Sequence, residues 1–247
     1  MCTAQTRVVA AGGGAGGGAV ALVAPSIRVD GAIRADGGQG GQLIKNAGSG
    51  NGAGGVGVAG GANGGQGAPQ GGSGSRGGGQ GGATGGPHHG GWPCPGGGGG
   101  YATTGNPGVS PPYSQSAAGG ASYGDAQLST GLLGGSGGGG GGNDGDNEEA
   151  EGGGGSGGTV WLRTVALTLG SSYSISATGG TVPMAIAGYD PPGTIHGGKG
   201  SAGRIRIDYA TLTGSVSSGI TPAPGYHLDV ATTDNCPISS AESAAFG

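Results

Sequence analysis

The chain has 247 residues, of which 73 are glycine, 4 % aromatic and 9 % charged, with a formal net charge of -4. This is not the composition of an ordinary globular domain, and collagen is excluded because the Gly-x-y phase breaks every few residues. The small net charge and scattered basic residues exclude a nucleic-acid footprint, and no apolar run reaches the ~18 residues of a membrane-spanning helix.

Met1 to Ala11 has neither the charged region nor the apolar core of a signal peptide. The expectation is a partial chain, or export without a cleaved leader. The first predicted element follows at Gly12 to Gly38, a glycine cluster leading into Val20-x-Leu22. A spacing of two between apolar residues is the strand period. The chain is then expected to turn at Ala24-Pro25, resume as Ile27-x-Val29, turn at Asp30-Gly31 and end on Ile33-x-Ala35.

Residues 43–151 form a glycine-rich insertion poor in apolar side chains. Gly60 to Gly67 and Gly71 to Gly86 keep glycine at threefold spacing, which suits extended polyglycine II strands packed side by side. An isolated threefold strand has no internal hydrogen bonds, so such strands must pack or dissolve into a flexible loop. Trp92, Tyr101, Tyr113 and Tyr123 are set in this stretch among Gly, Ser, Asn and Pro. Rigid amphipathic rings between small polar residues are the composition of a recognition loop, and aromatic faces stack on sugars. The alternative is that the rings pin the glycine strands.

Toward the end of the insertion Asp144, Asp146 and Glu148 lie in an acidic run. They could offer the hard oxygens that calcium requires, although the EF-hand spacing is absent and a solvated acidic turn explains the run as well. Pro87 to Cys94 holds His88, His89 and a thiol, but adjacent histidines on an extended loop diverge. Of Cys2, Cys94 and Cys236, the second and third are the plausible disulfide in an oxidising compartment.

The second and third copies of the first element follow, at Gly153 to Gly180 and Gly197 to Val216. Val20, Leu22 and Ile27 correspond to Val160, Leu162 and Leu167 at a shift of 140, and to Ile205, Ile207 and Leu212 at a shift of 185. Units that cannot bury their own apolar edge stack on one another. The expected fold is therefore all-β, a β-solenoid-like stack in which these residues form interior ladders, with a β-sandwich as the alternative. Asp208 is expected to alternate outward between Ile207 and Tyr209. The implied organisation is a first β-repeat over 1–42, the insertion over 43–151, the second and third repeats over 152–216, and a polar tail or cap over 217–247.

The motif carried by Ser174 to Gly180 and by Gly200, Gly203, Arg204, Ile205, Arg206, Ile207, Asp208 and Tyr209 resembles glycine-rich repeat domains of large secreted or surface proteins of bacteria, myxobacterial types among them. In composition the insertion also resembles the polyglycine sandwiches of phage tail-fibre adhesin tips. Both resemblances imply an extracellular or cell-surface location.

No nucleophile elbow, zinc-protease motif or Walker loop is present, and no carboxylate pair can be placed across one face. The expected function is therefore a non-enzymatic structural protein mediating adhesion or filament assembly, with self-association or a surface glycan as partner. An ice- or surface-binding module is the alternative from another class. Its Thr-x-Thr array would lie at Ser26 and Arg28, Ala166 and Thr168, and Thr211 and Thr213, where Arg28 and Ala166 interrupt the hydroxyls. A carbohydrate-binding receptor-recognition tip is a further alternative.

Overall fold

The computed structural model describes residues 8–42, 44–45, 52–69, 71–87, 94–110, 117–143, 150–182, 196–216, 219–225 and 227. Among them there is no helix, and the fold is all-β. In chain order the strands are β1 (Val8–Val9), β2 (Ala19–Val29), β3 (Ala32–Arg34), β4 (Ile44–Lys45), β5 (Thr159–Leu169), β6 (Ser174–Ser176), β7 (Arg204–Asp208), β8 (Thr211–Thr213) and β9 (Ile220–Thr221).

Copies of one sequence pattern stack in parallel because each leaves an apolar row that only a like row covers. Val20 pairs with Val160, Leu22 with Leu162 and Ile27 with Leu167 across β2 and β5. Val160 pairs in turn with Ile205 and Leu162 with Ile207 on β7, and Leu167 with Leu212 on β8. A second parallel sheet, β3-β6-β9, pairs Ile33 with Ile175 and Ile175 with Ile220. The apolar core lies between the two sheets and includes Ile27, Val160, Leu162, Leu167, Ile175, Ile205 and Ile207. β1 and β4 form a separate antiparallel pair.

Four details differ from the sequence reading. β2 runs unbroken through Pro25 instead of turning there; it is an edge strand, where a missing N–H costs the ladder nothing. Leu22, on that edge, is 41 % exposed instead of interior, because only β5 covers it. Asp208 is fully buried instead of outward. Ile220–Thr221, within the expected polar tail, supplies the third strand of the third copy.

The glycine clusters that open the copies continue below the sheets as straight segments with a three-residue hydrogen-bond period. Segment 134–143 displays the rule. Its N–H groups at 135, 138 and 141 donate to the carbonyls of 17, 14 and 11, those at 137, 140 and 143 to 78, 75 and 72, and those at 139 and 142 to 97 and 94. Its carbonyls accept from 62, 65 and 68, from 83 and 86, and from 150, 153 and 156. Every third residue thus meets the same neighbour, as three residues per turn requires, and donor and acceptor neighbours alternate around the segment.

Segments 94–100 and 150–158 are ringed in the same way, each hydrogen-bonded to six others. A side chain has no room at these positions: a Cβ at Gly138 would lie 2.1 Å from the Gly153 carbonyl oxygen, and one at Gly153 would lie 1.9 Å from that of Gly97. The three inner segments contain the three runs of four or more consecutive glycines in the chain, Gly96 to Gly100, Gly137 to Gly142 and Gly152 to Gly155. Outer segments, such as those with Asn63 and Gln66 or Ser73 and Arg76, place side chains on their exposed row. The described segments of 43–151 are therefore interleaved with the repeat copies in one hydrogen-bonded bundle.

Candidate functional site

The bundle joins the sheets through a cluster of aromatic and arginine side chains. Tyr101 and Tyr123 end two outer turns of the bundle, with ring centroids 4.6 Å apart. Thr159 Oγ1, on the first residue of β5, donates to the Leu133 carbonyl at 2.6 Å. Its proton is committed there, so Tyr101 donates in the 2.6 Å bond between its hydroxyl and that oxygen. The Tyr123 hydroxyl donates to the Gly134 carbonyl and accepts from Ser136 Oγ at 3.0 Å. Arg204 lies 5.2 Å over the Tyr101 ring and donates to the carbonyls of Tyr123 and Gly124.

One rank along the sheet, β7 and β5 set Arg206 opposite Trp161, with the guanidinium 5.3 Å from the indole centroid. Asp208 accepts from Trp161 Nε1 at 2.9 Å and from Arg206 Nε at 2.8 Å. Arg206 Nη1 donates to the Gln127 carbonyl, which ties the 124–133 crossing to the sheet. Arg204 Nε is buried without a hydrogen-bond partner, and the other polar groups of the cluster donate to or accept from one another and the backbone. The cluster is a joint.

The recognition residues expected from the sequence divide accordingly. Tyr101 is fully buried and Tyr123 half-buried in the joint, so Tyr101 offers no face to a ligand. Trp92 and Tyr113 lie outside the described residues, as do His88, His89, Asp144, Asp146, Glu148, Cys2 and Cys236. Among the described residues no three His, Cys, Asp or Glu side chains cluster as metal ligands. No described helix is long and apolar enough to cross a membrane. Parallel register sets Ser26, Ala166 and Thr211 in one rank and Arg28, Thr168 and Thr213 in the next, so Arg28 and Ala166 do interrupt the hydroxyl array.

The opposite end of the bundle is built differently. Segments 11–18, 150–158 and 197–203 lead up into β2, β5 and β7, so Ala11, Ala150 and His196 mark the end remote from the sheets. Gly142 donates to the Cys94 carbonyl and accepts from Ala150, and Asn143 donates to Gly72. Val109 forms a two-way bridge with His196, and Gly108 donates to Ala117. Pro87 and Val182 reach the same level, since a Cβ at Gly142 would lie 2.6 Å from the Pro87 oxygen and one at Gly197 would lie 2.9 Å from Val182 Cγ1. The residues at which the chain leaves and re-enters the bundle at 87 and 94, 110 and 117, 143 and 150, and 182 and 196 therefore share one end.

Glu151, which the sequence analysis does not single out, and Cys94 sit there. Glu151 is 2 % exposed, its Oε2 accepts a long 3.4 Å bond from Gly197 N, and its Oε1 has no partner. Burial pushes its carboxyl above the ordinary carboxylate range, opposed by the Gly197 N–H and by His196. Cys94 is buried, and burial pushes its thiol up. The signal for Glu151 was available: extending the 45-residue shift between β5 and β7 below the sheets puts Glu151 level with His196.

No protein-family model, no curated protein and no solved structure matches this chain.

Proposed function

We propose that the chain is a non-enzymatic extracellular or cell-surface protein that mediates adhesion, with the glycine bundle as a rigid mount beneath a short β-solenoid. In this reading the packed segments are polyglycine II strands, and Trp92 and Tyr113 are the rings that meet a surface glycan. The observation that carries the proposal is the shared end: four crossings of the chain start and finish there, while the two parallel sheets occupy the other end. A lattice closed by backbone hydrogen bonds leaves little freedom to its ends. The described residues that bound these connections are therefore held near one another, which lowers the ordering cost of a multipoint contact.

Adhesion is favoured over filament growth by the two lateral edges of the main sheet. At the β2 edge Pro25 removes a donor, and Arg28, paired with Asp30 at 2.6 Å, places exposed charge. Both are devices that keep a strand edge from pairing. At the β7 edge Gly225 N and His227 Nδ1 engage the carbonyls of Ile205 and Ile207. The test is binding of the labelled chain to bacterial cells and to a glycan array, beside the double variant Trp92→Ala/Tyr113→Ala. Loss of at least tenfold in binding, with an unchanged thermal midpoint, is expected. Equal binding by the double variant would remove the proposal.

A further inference from the structure

Segment 11–18 has one unpaired side, along which Gly12 is buried and Ala15 and Gly18 are half-buried. Its N–H groups at 11, 14 and 17 donate to 150, 153 and 156, and those at 13, 16 and 19 donate to 65, 62 and 59. The third row, at Gly12, Ala15 and Gly18, meets no acceptor among the described residues. Its carbonyls are engaged on both flanks: Gly52 and Gly55 donate to Ala10 and Gly13 from one side, Gly38 and Gly41 to Ala15 and Gly12 from the other. Segments 52–58 and 35–41 thus form two walls, and the unpaired N–H row lies on the floor between them.

Below Ala35 and Val58, which end the two facing rows, the walls carry no side chain where they face this floor. A Cβ at Gly38 would lie 2.9 Å from the Ala15 nitrogen and one at Gly55 would lie 2.7 Å from it, while one at Gly52 would lie 2.8 Å from the Gly12 nitrogen. The slot ends above at the 59–60 turn, because a Cβ at Gly18 would lie 2.9 Å from both the Val58 oxygen and the Ala59 Cβ. Exposed rows of other outer segments are closed by Asn63 and Gln66 or by Ser73 and Arg76. Among the described residues nothing closes this row.

We propose that the slot binds an extended glycine-rich strand supplied by another polypeptide. Donor and acceptor neighbours alternate around every filled segment of the bundle, and the vacant position beside segment 11–18 is a donor position, between acceptor positions held by its two walls. The occupant must therefore offer a carbonyl every third residue, roughly 9 Å apart in a threefold strand. It must also lack side chains on the faces turned to the walls, because glycines that pack against filled neighbours, such as Gly13, Gly64 and Gly67, have a carbonyl oxygen 1.9–2.1 Å from where a Cβ would lie. Glycine meets both conditions. A second copy of this chain does not supply such a strand, since its own glycine segments are already paired within its bundle. The proposal does not rest on the adhesive reading: the slot runs along the side of the bundle, from the end marked by Ala11 to the 59–60 turn.

The test is amide hydrogen exchange read by NMR on the intact chain, with and without a soluble probe, octaglycine flanked by lysines. In the free protein the Ala15 amide should exchange rapidly while those of Gly13, Gly14, Gly16 and Gly17 are protected. Octaglycine should slow Ala15 by about tenfold or more, and the matching octa-alanine peptide should not. The variant Ala15→Pro keeps the φ of a threefold strand, removes a donor that has no partner and fills the floor with the ring. It should retain the thermal midpoint and lose the probe. A slow Ala15 amide in the free protein, or no slowing by octaglycine, overturns the proposal. So does protection that grows with protein concentration alone, which would make the occupant a second copy.

Discussion

Leu162 pairs with Ile207 across 45 residues of sequence, and both side chains are fully buried. Their rank is the middle of the stack, with Leu22 on the exposed side of Leu162. Replacing Leu162 with Asp places an unpaired charge between two apolar neighbours and should cost ~4 kcal/mol or more, enough to unfold a marginal sheet. Thr168, six residues on along β5, is only half-buried, and Thr168→Asp should shift the midpoint little. Thermal denaturation of the pair decides: equal shifts would refute the register.

Glycine is required in the bundle by space, and this predicts a contrast between two glycines. Gly138 has the Gly153 oxygen 2.1 Å from where a Cβ would be, whereas Gly31, in the bend between β2 and β3, has nothing within 4 Å. Gly138→Ala must push two inner segments apart and break hydrogen bonds on both, so the chain should fail to reach its native state or lose several kcal/mol. Gly31→Ala should be neutral or stabilising by about 0.4–1 kcal/mol, through a less flexible unfolded chain. Calorimetry of both variants checks this, and tolerance of Gly138→Ala is the adverse result.

The stacking of the copies was legible because period-two apolar spacing survives a glycine-biased background: the shift read from Val20, Leu22 and Ile27 is the shift of the β2–β5 ladder. The bundle was legible only in part. Threefold glycine spacing in 60–67 and 71–86 marks outer segments, whose third row faces solvent and tolerates Asn, Gln, Ser or Arg. An uninterrupted run, as in Gly137 to Gly142, marks a segment with all three rows covered. Tyr101 was misplaced for a different reason. Ring type and loop composition cannot distinguish the sheet end of the bundle from the free end, which only the hydrogen-bond topology separates. Nor does spacing reveal that Asp208 turns inward, because that depends on Trp161 and Arg206 arriving from the same rank of two strands.

Arg206 and Asp208 form a buried ion pair, with Asp208 fully covered and Arg206 held over Trp161. Arg206→Ala strands a buried carboxylate and should cost about 3–5 kcal/mol, whereas Arg206→Ala with Asp208→Ala should cost less than the single change. Arg206→Lys should not rescue, because it loses the planar stack on Trp161 and the reach to Gln127. Urea denaturation of the three variants tests this, and a double variant less stable than Arg206→Ala is the contrary outcome.

Glu151 gives the bundle a pH dependence of definite sign. Its carboxyl is raised by burial, against the Gly197 N–H and His196, so the folded chain keeps a proton that the unfolded chain releases. Stability from this group is full below the ordinary glutamate range and declines as pH rises through the folded value. Above that value the native chain carries a buried charge with one oxygen unpartnered. Glu151→Gln keeps the shape and removes the ionisation. It should leave the thermal midpoint nearly unchanged at pH 4, raise it at pH 8, and flatten the decline between them. His196→Ala removes a neighbour that lowers the Glu151 carboxyl and should steepen that decline. Midpoints measured from pH 4 to pH 8 for the three chains read this out, and a wild-type midpoint that rises across that range faster than that of Glu151→Gln would show that the carboxyl is held in its charged form instead.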